Sequence, residues 1–421
     1  MYKCRIIFLS VLSGLLLAGC SSDNDGADDN LSEPPVEINL SRSQQDIVDS
    51  QARFAFDYFK QTSAWAGNER NMVISPLSLS MDLAMLANGA GERTYADIVS
   101  ALHLPQATTD ELNTLYKSLV GELLGADRKV QLSIANGIWN NQSSKLKEDF
   151  IKNVTDYYTA DLQPLDFSNG EQSRNVINQW AAEKTKGMIT NIFEEEQALS
   201  SSSVILCNAL YFNGEWATPF VKENTKQLAF TNIDNSESIV ATMTEAMSNF
   251  SHALNEDAEI ISLPYGNRTF SMYVLLPSVE GQAGNYEMIY DRFIENIDYD
   301  WWIATKSQMN ADENIRVKMP KFKIETLCPM IGVTTMRELS AVVDHPDMSN
   351  MTDSEINFLR LNQYSSIEVM EKGTVAASVS KGDLMATSPM SVNMNINRPF
   401  IFLIEERSTG AILFMGKVMK L

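Results

Sequence analysis

Three histidines (His103, His252, His345) and four cysteines (Cys4, Cys20, Cys207, Cys328) are all that 421 residues offer for metal binding or histidine-dependent hydrolysis. No Gly-x-Ser-x-Gly, His-Glu-x-x-His, Cys-x-x-Cys or phosphate-binding loop occurs, so the usual nucleophile, zinc and nucleotide chemistries have no residues to act through. Gly89-Ala90-Gly91 lacks a third glycine, follows a helical segment and reads as a turn. Tyr157-Tyr158 and Trp301-Trp302 could stack on a sugar, but they fit core and helix packing better. The chain carries 33 basic and 54 acidic side chains, a formal charge of −21. Nucleic-acid binding depends on Lys and Arg neutralising phosphates, so a balance this acidic nearly excludes that class. The expectation is a protein without catalytic residues, metal or cofactor.

The informative segment is residues 371–390, where the strand-like run Ser366–Met370 leads into a long series of small residues. Loops beyond about fifteen residues are uncommon and often functional. If this one became a strand, alternate side chains would face opposite ways. One face would carry Thr374, Ala376, Ser378, Ser380, Gly382, Leu384 and Ala386, without a charge. The other would carry Val375, Ala377, Val379, Lys381, Asp383 and Met385, so both charges fall together. No proline interrupts the segment before Pro389, so nothing blocks a hydrogen-bonded ladder. The pattern is that of a loop able to bury one face inside a sheet. About fifteen residues at roughly 3.3 Å each would span some 50 Å, the scale of a large sheet.

The elements around this loop are legible from period and punctuation. Helical periods cover the region of Ile47, Phe54, Phe56, Tyr58 and Phe59, then Pro76 to Gly89, Thr94–Leu102, Glu111–Leu124, Lys147–Tyr158 and Glu171–Lys186. Pro76 after Ser75 suits the first helical position. Strand patterns cover Val130–Trp139, Val204–Phe212, Glu259–Leu263, Thr269–Leu276, Ile315–Ile324, Leu359–Met370, Arg398–Glu405 and Ala411–Lys417. Helices early and strands late predict an α+β domain with a large sheet. His103 sits at a helix exit. Cys207, within an apolar strand, reads as a buried thiol, and a disulfide to Cys328 is not expected.

The first nineteen residues read as a leader, with Lys3 and Arg5, an apolar run from Ile6 to Leu17 and small residues before Cys20. Leu17-Ala18-Gly19-Cys20 resembles a bacterial lipobox, which implies a lipid on Cys20. Loss of Lys3 and Arg5 with the leader brings the charge to −23. Residues 20–43 are acidic and polar with Pro34-Pro35, the composition of a flexible tether. A single domain, 44–421, follows, carrying the loop at about 372–391. This organisation places the protein in a bacterial cell envelope, lipid-anchored at the outer membrane or cell surface.

Taken together, the motifs resemble the serpin family from about Gln44 to Leu421. Glu371-Lys372-Gly373-Thr374-x-Ala376-Ala377 resembles the inhibitory hinge, in which Ser378 also falls. Asn395-x-Asn397-Arg398-Pro399-Phe400-Ile401-Phe402 with Thr409-Gly410-Ala411-Ile412-Leu413-Phe414-Met415-Gly416-Lys417-Val418 resembles the C-terminal signature. Asn208-Ala209-Leu210-Tyr211-Phe212-x-Gly214-x-Trp216-x-x-Pro219-Phe220 resembles the third strand of the central sheet, and Asn71-x-x-Ile74-Ser75-Pro76-x-Ser78 the strand and helix beneath the opening point.

The resemblance implies three β-sheets, eight to nine helices and an exposed reactive-centre loop. It also implies a monomer whose partners are serine endopeptidases, with cysteine endopeptidases as a further class, trapped as a covalent acyl-enzyme when the cut loop inserts. The hinge-to-bond interval puts the reactive bond at Thr387-Ser388, with Met385-Ala386 and Met390-Ser391 as alternatives. A threonine there suits an elastase- or subtilisin-like pocket. Lys321 and Trp216 fall at the family's opening point, with Lys321 facing Glu371. Ser75, Ser78, Asn208 and Gln363 fall in the cluster beneath the opening strands, where Gln363 replaces the family's usual histidine. Residues 330–353 match the family poorly. The competing reading is a non-inhibitory binding protein of the same fold, whose hinge should be bulky, charged or proline-bearing.

Overall fold

The computed structural model describes residues 33–421 except 194–198, 200–201, 280–284, 312–313, 329–338, 341, 343–345, 355, 357–358 and 374–391. Eight α-helices occur among the described residues: α1 Arg42–Ala66, α2 Pro76–Ala87, α3 Glu92–Ala101, α4 Thr109–Leu123, α5 Glu148–Tyr158, α6 Gly170–Lys184, α7 Tyr286–Asn296 and α8 Tyr299–Lys306. Ser41 opens α1 through a capping box with Gln44, and Ser75 caps α2 ahead of Pro76, so the first turns of both have side-chain partners for their free N–H groups. α2 is buried on every face. It packs between the six-stranded and five-stranded sheets.

Fifteen strands lie among the described residues: β1 Met72–Ile74, β2 Val130–Asn141, β3 Asp161–Leu165, β4 Val204–Gly214, β5 Lys226–Thr231, β6 Glu237–Ser248, β7 His252–Leu254, β8 Ala258–Pro264, β9 Phe270–Pro277, β10 Ile315–Pro320, β11 Phe322–Cys328, β12 Leu359–Val369, β13 Val392–Asn395, β14 Phe400–Glu406 and β15 Ile412–Val418. They form three sheets, ordered β11-β12-β4-β2-β3, β13-β10-β6-β5 and β1-β15-β14-β9-β8-β7. The C-terminal motif supplies β14 and β15, fully buried antiparallel neighbours in the six-stranded sheet. A main core fills the space between the sheets and α1–α4. A second cluster, with Trp139, Phe167, Ile177 and Ile205, fixes α6 on the outer face of the five-stranded sheet. There the Trp139 and Trp180 rings meet edge to face at 5.0 Å.

Two boundaries differ from the sequence reading. The stretch Ile315–Ile324 is not one strand: β10 belongs to the four-stranded sheet and β11 to the five-stranded one. Pro320 has no N–H to extend the ladder, and the Lys321 N–H donates to Ala241 O as the chain changes sheets. The folded body also begins before Gln44. Residues 34–41 belong to it, with Ile38 buried, Val36 N donating to Thr269 Oγ1 and Ile38 N to Ser408 Oγ, both at 2.9 Å. Trp302 is buried and donates to Glu405, while Trp301 meets Phe293 edge to face, so this pair has the packing role expected of it. No helix among the described residues is long and apolar enough to cross a membrane.

Candidate functional site

β4 and β12 are parallel neighbours at the centre of the five-stranded sheet, and each is eleven residues long. Their paired register runs only from Leu359 opposite Val204 to Gln363 opposite Asn208. Beyond those residues no register between the two is formed through Gly214 and Val369. This upper half is nonetheless buried, and Ser365 Oγ and Ser366 Oγ on β12 have no hydrogen-bond partner. The centre of the sheet is therefore closed at its base and lacks a ladder above.

The chain leaves the top of β12 through a tight reversal. Met370 and Gly373 exchange backbone hydrogen bonds of 2.8 and 3.0 Å, and Gly373 bridges to Glu215 just past β4. Gly373 has φ +140°, and a Cβ there would collide with the Gly214 carbonyl oxygen, so glycine is required twice over. Trp216 locks the turn. Its backbone N–H donates to Lys372 O at 2.6 Å, its Nε1 to Met370 O at 2.9 Å, and its ring stacks on Tyr265 at 4.4 Å.

Glu371 anchors the same turn from the other side. Lys321 Nζ lies 3.0 Å from its carboxylate and Thr225 Oγ1 donates to it at 2.8 Å. Burial alone would raise the Glu371 carboxyl, but its own backbone N–H, Thr225 and Lys321 together hold it below the usual range. A carboxyl lowered in the folded state adds stability above its unfolded value, near 4.3, and loses that contribution as pH falls through the folded value. Because Lys321 is 31% exposed, solvent screens the pair and its worth is about 1 kcal/mol. Lys321→Met should therefore speed spontaneous loss of the native form about five-fold at pH 7, as read on native gels, with the difference shrinking as pH falls through the folded Glu371 value.

Beneath the seam, Gln363 joins β12 to α2. Its Nε2 donates to Ser75 O at 2.6 Å, while its Oε1 accepts from Ser75 N at 3.0 Å and Tyr58 Oη at 3.2 Å. Ser78 joins through its N–H to Ser75 Oγ. Asn208 faces Gln363 across the register but donates instead to Asn136 Oδ1 at 2.6 Å on β2. The structure thus brings Ser75, Ser78 and Gln363 into one cluster and Glu371, Lys321, Trp216 and Gly373 into another, with Asn208 at the border of the first. Sequence reasoning missed Tyr58, Thr225 and Asn136. Tyr58 gave no signal beyond an apolar helical face, and Thr225 lies outside every motif.

Thr374, Ala376, Ala377, Ser378, Met385, Thr387, Ser388 and Met390 lie outside the described residues, as do Cys20 and most of 330–345. Cys207 belongs to the outer cluster against α6, whereas Cys328 accepts from Tyr58 Oη in the main core. The two thiols therefore sit on opposite faces of the sheet and form no disulfide. Among the described residues no group of three or more His, Cys, Asp or Glu side chains could hold a metal.

The site thus consists of a parallel central pair with an incomplete ladder and a glycine turn at its top, with residues 374–391 leading on to β13. The family model described as "Serpin (serine protease inhibitor)" matches residues 49–421, and the chain belongs to that family. Among its relatives are an uncharacterized serpin-like protein of Methanosarcina mazei, 29% identical over 99% of this chain and 98% of its own, and the leukocyte elastase inhibitor of Xenopus tropicalis, 29% identical over 89% and 99%. The crystal structure of tengpin, a thermophilic serpin in the native state, superposes with TM-score 0.80 at 27% identity over 93% of this chain and 97% of that one. Membership supports protease inhibition in general.

Proposed function

We propose that this chain is a suicide-substrate inhibitor of serine endopeptidases, with cysteine endopeptidases as further targets. The observation that carries the reading is the β4–β12 register that stops at Asn208 and Gln363, directly below a hinge followed by a charge-free face from Thr374 to Ala386. The target's serine oxygen attacks the Thr387 carbonyl, the Ser388 nitrogen leaves with a proton as a new amino terminus, and Thr387 remains as an ester on the protease. Residues from Thr374 onward then enter between β4 and β12, completing the ladder before water reaches the ester. Threonine before the cut bond favours elastase- or subtilisin-like enzymes, in keeping with a relative named as an elastase inhibitor. Lipid on Cys20 would hold the molecule at a bacterial outer membrane or cell surface.

Mixing the mature protein with elastase- and subtilisin-like proteases should give an SDS-stable complex and a released C-terminal fragment. Its first residue identifies the bond: Ser388, or Ala386 or Ser391 for the alternatives. Clean cleavage without complex across a broad panel sinks the reading.

A further inference from the structure

Asp82 stands in the middle of α2, the helix beneath β4 and β12, and is 2% exposed. Its Oδ1 has no hydrogen-bond partner among the described residues. Burial is the sole cause that drives its carboxyl well above the usual range, with no cation to offset it. The ionisable groups that face it are Tyr58 of α1 and Tyr116 of α4, each pushed up by burial and therefore uncharged near neutrality. α3, α5, β4, β12 and β15 also pack on α2 and bring no charge to it. Tyr58 in turn contacts Cys328 of β11, whose thiol burial also raises, and Gln363 of β12. Asp82 thus lies on the same helix whose N-cap residue, Ser75, holds Gln363, and its charge acts on Tyr58, which also bonds Gln363.

We propose that Asp82 is a proton-operated latch on sheet opening: its neutral acid suits the sealed helix, and its carboxylate drives α2 to admit water and loosens the Gln363–Ser75 tie. An unpaired carboxylate is far costlier to bury than a carboxylic acid. A group that holds its proton more tightly when folded stabilises the folded form fully below its unfolded value, near 3.9, and loses that contribution as pH rises toward the folded value. The closed form therefore weakens from about pH 4 upward. Glu371 acts with the opposite sign and in a separate window, below about pH 4.

The inference rests on the loop-insertion reading, yet its test does not need a protease. The mature protein and its Asp82→Asn variant are held a few degrees below their melting points at pH 5, 6, 7 and 8. Loss of the native species is then timed on native gels. The wild-type rate should rise with pH across this range, and the Asp82→Asn rate should rise much less steeply. Parallel slopes overturn the proposal, including the case where the variant is merely more stable at every pH. If Asp82→Asn does not fold, Asp82→Ala serves with the same criterion. Failure of every protease to form a complex would sink the functional reading while leaving this slope comparison intact.

Discussion

Thr374→Arg should turn the protein from an inhibitor into a substrate. The first residue after the hinge glycine opens the charge-free face that, on the proposed function, enters the sheet. A guanidinium there would have to be buried between β4 and β12, beside Ser365 and Ser366, with no carboxylate among the buried residues of either upper strand. An unpaired buried charge costs several kcal/mol. About 4 kcal/mol on the barrier slows insertion roughly a thousand-fold, long enough for water to hydrolyse the ester. Gel analysis should show full cleavage at the same bond with no SDS-stable band, while the uncut variant melts within a few degrees of wild type. An undiminished complex would mean that Thr374 does not enter the sheet.

Cutting the loop without trapping a protease should raise the thermal midpoint by upward of about 20 °C. Eleven-residue strands on either side offer an entering segment some ten to twenty hydrogen bonds, each worth about 1 kcal/mol net, and its charge-free face would be buried as well. A gain of this order moves the midpoint of a large domain by tens of degrees. Calorimetry before and after limited proteolysis measures it. No rise would favour a binding protein of the same fold that keeps its loop outside.

The fold was legible where local period and punctuation agree with tertiary burial. Ser75-Pro76 marked the start of α2, and the apolar runs of β4, β14 and β15 announced buried strands. β3, β5, β6, β7, β13, α7 and α8 escaped notice. β6 mixes exposed, half-buried and buried positions along twelve residues and bulges against β10, so no clean alternation survives in its sequence. The turn at Gly373 was readable because its backbone requires glycine, whereas the small, proline-free residues after it lie outside the described residues. The ion pair of Glu371 with Lys321 joins residues fifty apart, and only resemblance to a family could suggest it. Asp82 was invisible for a different reason. A polar residue within an apolar helix usually marks the solvent face, but α2 has no such face, and sequence alone cannot show a helix enclosed on every side.

The stacking of Trp216 on Tyr265, with its indole N–H held by Met370 O, also makes the turn at Gly373 optically self-reporting. Release of that indole into water would redden its emission and relieve its contact with the phenol ring. Trp139 and Trp180, packed edge to face in the cluster against α6, supply a second pair of native fluorophores. Under the proposed insertion, stopped-flow emission from the unlabelled protein would report the release of Trp216 from Met370 and Tyr265.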